Sequence, residues 1–111
     1  MGGAIGAVLR YLIGLLPLNP QNGFPLKTFC INVIGAFAIG LVAALSARAS
    51  LNPRFTLFLK VGICGGFTTF SSFALETEAL LGKGNQTIAL LYVVSSLVCG
   101  VLAVAAAESL V

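Results

Sequence analysis

The sequence predicts an all-α membrane protein with four transmembrane helices, the third of which is broken mid-membrane. Of the 111 residues, 59% are apolar and only 8% are charged, whereas roughly a quarter of the residues of a soluble domain carry a charge. Four long apolar segments hold most of the chain, and at about 20 residues per bilayer-spanning helix the length admits four spans and little else. We therefore expect one membrane domain over residues 1–111.

The first two predicted spans cover about residues 2–16 and 27–48. The apolar run starts at Gly2 without a basic leader or a cleavage site, which indicates a retained helix rather than a signal peptide. This first span is short for a bilayer, and it stops before the Pro/Asn/Gly-rich segment 17–23, whose composition favours turns. A polar break at 50–54 ends the second span.

The third and fourth spans are predicted at about 55–81 and 87–107, joined by a short turn. Within the third span, Gly65 and Gly66 precede the sequence Phe-Thr-Thr-Phe-Ser-Ser, a weak helix-forming stretch, so we expect the helix to break there. Unwound backbone inside a bilayer is tolerated only where protein, water or an ion replaces the helical hydrogen bonds. The break therefore predicts an ion site.

Helical periodicity places small and polar residues together on one face of each span. Pairs such as Gly2-x-x-x-Gly6 are typical of close helix packing and need no transport role. In span four the inner face leaves Leu, Ile and Val for lipid. Its members are Tyr92, Ser96, Cys99, Gly100, Ala103 and Ala107. Burying the polar groups of Arg10, Asn32 and Tyr92 in hydrocarbon costs free energy unless these groups are paired or hydrated. This cost favours a functional role for the three residues.

The charge and cysteine content argue against several classes of protein. Six Lys/Arg and three Asp/Glu are scattered singly, without the basic stripe that nucleic-acid binding requires. There is no His, and Glu76 and Glu78 form the only carboxylate pair, so we do not expect an enzyme. Three cysteines far apart in apolar segments indicate packing residues.

Assembly and orientation are predicted from bundle size and from the distribution of basic residues. A four-helix bundle of this size fills its own centre, so one chain is not expected to enclose a wet pathway, and oligomerisation is implied. Arg48, Arg54 and Lys60 lie at the predicted end that holds the termini, against Lys27 and Lys83 at the other. This bias is too small to fix one topology, which favours insertion in both orientations and an antiparallel dimer.

Two phenylalanines follow the break. Phe70 and Phe73 are three residues apart, so their rings fall on one side of the resumed helix. Aromatic ring edges carry partial positive charge and meet an anion without the deep trap that a Lys or Arg would make. Rings in membrane helices are more often simple packing residues, but the flanking hydroxyls favour a path for an anion.

Three motifs resemble those of the Fluc fluoride channels, also called CrcB-like proteins. They are residues 2–11 (GGAIGAVLRY), 28–35 (TFCINVIG) and 65–73 (GGFTTFSSF), and the resemblance covers nearly the whole chain. It implies a passive, fluoride-selective channel, multi-pass in the cell inner (plasma) membrane, that relieves fluoride toxicity. It also implies an antiparallel, dual-topology homodimer with two pores and a central structural sodium ion.

The resemblance implies roles for individual residues as well. The expected pore residues offer hydrogen-bond donors or ring edges to fluoride: Asn32, Phe70, Phe73, Tyr92 and Ser96. Arg10 would lie toward the aqueous vestibule and Glu76 near a pore mouth. The backbone carbonyls of Gly65 and Thr68 would bind sodium. Since fluoride is small and strongly hydrated, amide and hydroxyl donors of these types suit it, as do those of Thr69 or Ser72.

The chain departs from the family pattern at three positions. Lys27 stands where the family usually has Gly, which bears on the charge of the vestibule. Ser72 replaces a common Thr. Gly100 stands where span four often has another hydroxyl, which weakens any hydroxyl track beyond Ser96.

Two other functions remain as alternatives. A small four-span multidrug exporter depends on a carboxylate in its first span, where this chain has Arg10 and no acid. A structural assembly subunit would explain the packing glycines but not the broken segment. The residues alone also leave open which group pairs with the backbone at the break. Water or the side chains of Thr68, Thr69 or Ser71 can satisfy these polar groups, as an ion can.

Overall fold

The computed structural model of the chain describes residues 1–17 and 23–111, and within them it is helical with no strand. The elements, in chain order, are α1 (Gly2–Gly14), α2 (Leu26–Ala49), α3 (Pro53–Leu57), the π-helical segment π1 (Phe58–Cys64), α4 (Gly65–Phe67), α5 (Phe70–Gly82) and α6 (Gln86–Ser109). We call α3, π1 and α4 the first half of the broken helix, and α5 its second half. The predicted span ends differ from these bounds by no more than two residues.

Three of the described helices are long and apolar enough to cross a membrane: α2, the broken helix over 53–82, and α6. This confirms that the described part of the chain is all-helical, and it is consistent with the prediction of a membrane protein. The 13 residues of α1 extend about 20 Å, less than the roughly 30 Å of a hydrocarbon core. The helix ends at Gly14 because the next two N–H groups bond three residues back, which tightens the last turn. Most of the turn predicted at 17–23 lies outside the described residues.

The second helix, α2, is the centre of the molecule, since it contacts α1, both halves of the broken helix and α6. On one side, α1 packs against π1 and α4; on the other, α6 packs against α2 and α5. The Arg48 side chain donates a hydrogen bond to the Val111 carbonyl, so the C-terminal ends of α2 and α6 lie together. Gly40 of α2 also lies against Val104 and Ala107 of α6, so these two helices run parallel. The first half of the broken helix contacts both α2 and α1.

Two glycines allow the closest helix contacts. A Cβ at Gly6 would overlap the Ile63 carbonyl and the Phe67 amide, so only glycine permits this approach of α1 to the broken helix. A Cβ at Gly35 on α2 would likewise overlap the Thr68 side chain. Both glycines are buried, which confirms the prediction that small residues mediate helix packing.

The inner face predicted for α6 is confirmed at its two ends. Tyr92 and Ala107 are both 0% exposed, and the residues between them on that face are half-buried. Large apolar side chains cover the opposite face of α6: Leu90, Leu91, Val94, Leu97, Val98, Val101 and Leu102. Of the three cysteines, which are all free, Cys64 is buried and the other two are half-buried.

The break in the third helix is confirmed, and it falls at Thr68 and Thr69. Both residues have extended backbone, with ψ of 158° at Thr68 and 120° at Thr69. The Thr69 hydroxyl then accepts a hydrogen bond from the Ser72 N–H at 3.1 Å and so caps the start of α5. The π-helical turns of π1 lie one short helix, α4, before the break, and π-helical distortions are frequent at functional sites.

Candidate functional site

The side-chain amide of Asn32 holds the break through two hydrogen bonds to one residue. Its Oδ1 accepts from the Thr69 N–H at 2.9 Å, and its Nδ2 donates to the Thr69 carbonyl at 3.1 Å. A buried, unpaired backbone group costs about 1–3 kcal/mol. Asn32 removes that cost for both polar groups of Thr69, so it stabilises the extended backbone. Nδ2 carries a second N–H, and Asn32 lines the adjoining cavity.

These contacts also divert the donors of two backbone carbonyls. In an uninterrupted α-helix, the Thr69 N–H would donate to the Gly65 carbonyl and the Ser72 N–H to the Thr68 carbonyl. Here the first N–H goes to Asn32 and the second goes to the Thr69 hydroxyl. Gly65 is exposed in the single chain, and a Cβ built on it would meet only the Lys60 carbonyl oxygen, at 3.9 Å. Two carbonyl oxygens near the break therefore lack their helical donors.

A cavity of about 360 Å³, which we call cavity one, lies beside the break, between α2 and α6. Its polar lining comes from Asn32, Thr68, Thr69 and Ser96. The Ser96 hydroxyl oxygen is buried and has no hydrogen-bond partner among the described residues. None of the described residues that line this cavity is charged, so the wall that they form consists of neutral donors, aliphatic groups and two rings.

The two rings of cavity one are those of Phe70 and Phe73. Their centroids are 6.1 Å apart and their planes are inclined at 44°. Phe73 packs inward against the Tyr92 ring at 5.0 Å, whereas Phe70 is 79% exposed in the single chain. The structure places both rings beside one cavity, but the described residues leave most of Phe70 uncovered.

Tyr92 and Glu76 form a pair behind the Phe73 ring. The Tyr92 hydroxyl donates to Glu76 Oε1 at 3.3 Å, and the tyrosine ring is enclosed by Phe24 and Phe73. Neither Tyr92 nor Glu76 lines cavity one. The Tyr92 hydroxyl, which was predicted as a pore donor, therefore bonds to a carboxylate, and the Phe73 ring that contacts Tyr92 lines the cavity instead.

A second cavity of about 330 Å³, which we call cavity two, lies between the C-terminal end of α1, the N-terminal end of α2 and the start of α5. Arg10 and Lys27 line it, together with Thr28, Thr69 and Ser72. Thr69 lines both cavities, so the break separates a basic cavity from a neutral one. The guanidinium Nε of Arg10 is buried and has no hydrogen-bond partner among the described residues.

Apart from Gly65, which lines neither cavity, the predicted site residues fall into three groups. Asn32, Thr68, Phe70, Phe73 and Ser96 meet at cavity one. Arg10 lies apart in cavity two, and Tyr92 bonds to Glu76. The sequence analysis missed the role of Asn32 at the break, whereas the Thr69 side chain was among the alternatives that it gave for the backbone there. A Thr followed three residues later by a polar residue is a weak signal for the Thr69 cap, but no local pattern indicates the Asn32 contact, whose partner lies 37 residues away.

Comparison with known proteins identifies the family. A sequence profile described as CrcB-like protein, Camphor Resistance (CrcB), matches residues 1–107. The chain belongs to the CrcB-like family. The resemblance seen in the three sequence motifs is therefore confirmed, and the long apolar helices of this CrcB-like chain make it a membrane protein.

Curated relatives of this CrcB-like chain carry the name fluoride-specific ion channel FluC. The relative from Prosthecochloris aestuarii is 47% identical over 100 residues, which cover 89% of this chain and 78% of the relative. The one from Thermus thermophilus is 48% identical over 101 residues, covering 90% and 81%. The one from Agrobacterium fabrum is 43% identical over 113 residues, covering 98% and 89%. These relatives are named as ion channels, which are not enzymes.

Proposed function

We propose that this chain forms a fluoride-selective channel that lets fluoride leave the cell passively across the inner (plasma) membrane and so relieves fluoride toxicity. The observation that carries the proposal is cavity one, where an amide N–H and an unpartnered hydroxyl stand beside two phenylalanine rings without any charged group. The names of the curated relatives give the same ion.

The lining of cavity one suits an anion that must shed water and then leave again. Asn32 and Ser96 offer N–H and O–H donors that replace the hydration shell. The Phe70 and Phe73 ring edges add weak positive potential. A Lys or Arg at this point would bind the ion too tightly for conduction, and none lines the cavity. Arg10 in cavity two is then the vestibule cation, and Tyr92 with Glu76 lies behind the pore wall.

The pore is proposed to be completed by a second, antiparallel copy of the chain, giving two pores in one dual-topology homodimer. Support comes from Phe70, which is 79% exposed although it lines cavity one. A polarised ring edge acts on an ion only where water is excluded. A second copy over this face would cover Phe70 and enclose the cavity.

A structural sodium ion at the centre of the dimer is part of the proposal, and the residues at the break fit it. The carbonyls of Gly65 and Thr68 lack their helical donors because Asn32 and Thr69 have taken the two N–H groups. Two carbonyls from each of two chains would supply four hard oxygen ligands, which suit a hard cation. No carboxylate lies in 62–73, which disfavours a divalent ion.

Efflux from proteoliposomes that contain only this protein tests the channel function. Fluoride efflux, measured with a fluoride electrode and a potassium ionophore to carry counter-charge, is expected to be fast, while chloride efflux stays at the level of protein-free liposomes. Chloride efflux at a similar rate would refute fluoride selectivity. Absence of both fluxes in a correctly folded preparation would favour a structural subunit.

Sodium is tested separately from conduction. Dimer stability and fluoride efflux are compared after purification in sodium and in N-methylglucamine, at equal ionic strength. The proposal expects a lower melting temperature and less flux without sodium, both restored by adding sodium back. If neither quantity changes, water or side chains serve the two carbonyls instead.

A further inference from the structure

Cavity two holds two cations and no anion. Arg10 from α1 and Lys27 from α2 both line it. The chain has three acidic residues, Glu76, Glu78 and Glu108, and none of them lines the cavity. Among the described residues, no carboxylate lies in the wall of this cavity beside the two cations.

The backbone of α2 adds to this positive charge, yet Lys27 lies in its first turn. A helix N-terminus carries about half a positive elementary charge, so a cation there is unfavourable by a few tenths of a kcal/mol or more. No acidic residue occupies the first turn of α2. The sequence thus places a lysine where helix electrostatics oppose it.

The Lys27 side chain joins the start of α2 to the end of α1. Its Nζ donates to the Gly14 carbonyl at 2.8 Å, at the last residue of α1. The negative end of the α1 dipole and a neutral carbonyl orient the ammonium group without cancelling its charge. Lys27 from α2 and Arg10 from α1 therefore line the same cavity.

We propose that Lys27 is a fixed charge that, together with Arg10, concentrates anions at the mouth of the conduction path and so raises flux when fluoride is dilute. This inference rests on the proposed channel function. Lys27 lies outside cavity one, so it acts on the arrival of the ion and not on its selection. As a general estimate, two unit charges about 7 Å apart in water interact by roughly 1 RT, which changes the local concentration of an anion about threefold at low salt; the effect vanishes as added salt shortens the screening length.

The test is Lys27→Met, with Lys83→Met as the matched control. Lys83 is exposed and lines neither cavity. Its replacement therefore lowers the net charge by the same amount but leaves the charge of cavity two unchanged. Initial fluoride efflux is measured at millimolar fluoride, in about 10 mM and about 1 M potassium gluconate, where the Debye lengths are roughly 30 and 3 Å. Lys27→Met is expected to lower efflux about threefold at low salt and not at high salt.

Two further variants separate charge from anchoring. Lys27→Gln keeps a donor for the Gly14 carbonyl but has no charge, whereas Lys27→Arg keeps both. If Lys27 acts through its field, Lys27→Gln loses the salt-dependent component as Lys27→Met does, and Lys27→Arg restores it. If Lys27→Gln equals the parent protein and only Lys27→Met is impaired, the lysine is an anchor for α1 and the inference is wrong.

The outcomes also distinguish this inference from the channel proposal. Absence of flux in the parent protein refutes the channel itself. Normal flux in the parent protein, with the same salt dependence in Lys27→Met and Lys83→Met, refutes only the role of Lys27. Melting temperatures of all variants are measured alongside. A loss of flux that accompanies unfolding is assigned to lower stability and counts against an electrostatic role of Lys27.

Discussion

Asn32 has two roles that depend on the same amide group. Its oxygen and one of its N–H groups hold the Thr69 backbone, and its second N–H is the donor that the proposed pore uses. The sequence predicted that Asn32 is functional because a mid-span amide needs a partner. It did not predict a backbone partner, because the Thr69 contact joins distant parts of the chain, and propensity describes only neighbouring residues.

Asn32→Asp is expected to abolish most fluoride flux. A carboxylate still accepts from the Thr69 N–H, but it cannot donate to the Thr69 carbonyl, and it places a negative charge on the anion path. The fall in efflux should be roughly tenfold or more, because each 1.4 kcal/mol added to a barrier slows a rate about tenfold. Proteoliposome efflux measures it. The matched control is Asn52→Asp at the N-cap of α3, where Asp caps as well as Asn.

Ser96→Ala separates a pore hydroxyl from a packing one. The Ser96 hydroxyl is buried without a partner among the described residues and lines cavity one, so its removal should reduce fluoride efflux several-fold while the melting temperature stays equal or rises. The neighbouring Ser95 hydroxyl donates to the Tyr92 carbonyl on its own helix. Ser95→Ala should therefore leave efflux unchanged. Equal efflux from the two variants would exclude Ser96 as an ion donor.

At the scale of elements, the sequence predicted where the third helix breaks but not how the break is built. Glycines and β-branched threonines are poor helix formers over 62–69, and that local signal was sufficient for the position. The π-helical turns of π1 were not predicted, because the π and α forms of a helix do not differ in apolar periodicity over so few residues. The end of α1 at Gly14 rather than 16 likewise depends on how its last turn tightens.

The packing of α1 on the broken helix gives a prediction for its glycines. Gly6→Ala should lower the melting temperature in detergent by about 5 °C or more, because the added methyl overlaps backbone atoms of 63–67 that cannot move aside. Gly3→Ala adds the same methyl group where no atom lies within 4 Å, and alanine favours the helix by about 1 kcal/mol. It should be neutral or stabilising. If both variants melt alike, α1 does not pack as described.

At the scale of the whole molecule, the single chain leaves much of its apolar surface uncovered. Few side chains are buried, whereas exposed large apolar residues are spread over every long helix. Lipid covers such a surface in a membrane protein, but lipid does not explain an exposed Phe70 beside a cavity with polar walls. The sequence predicted an oligomer from bundle size alone, and the arrangement of the copies depends on surfaces that a single chain does not define.

The proposed antiparallel dimer predicts that both orientations coexist in one membrane. The prediction rests on the nearly equal number of basic residues at the two predicted ends of the chain, with Arg48, Arg54 and Lys60 at one end and Lys27 and Lys83 at the other. Cysteine-free protein with a single reporter cysteine at either terminus should be labelled by an impermeant reagent to about half, and fully only after the membrane is permeabilised. Complete labelling, or none, in intact cells would mean one orientation and would rule out the antiparallel arrangement.

The hydrogen bonds between Asn32 and Thr69 also bear on the order in which the chain folds. Because they join residues 37 apart in sequence, the extended residues of the break depend on α2 being present. During synthesis α2 is complete before Thr69 is made, so its amide is available when the third helix enters the bilayer. A peptide of 53–82 alone in lipid has no such partner, and the least costly way to pair its backbone is a continuous helix. The break is then acquired on docking, and the two carbonyls proposed for sodium appear only once α2 and the third helix have met.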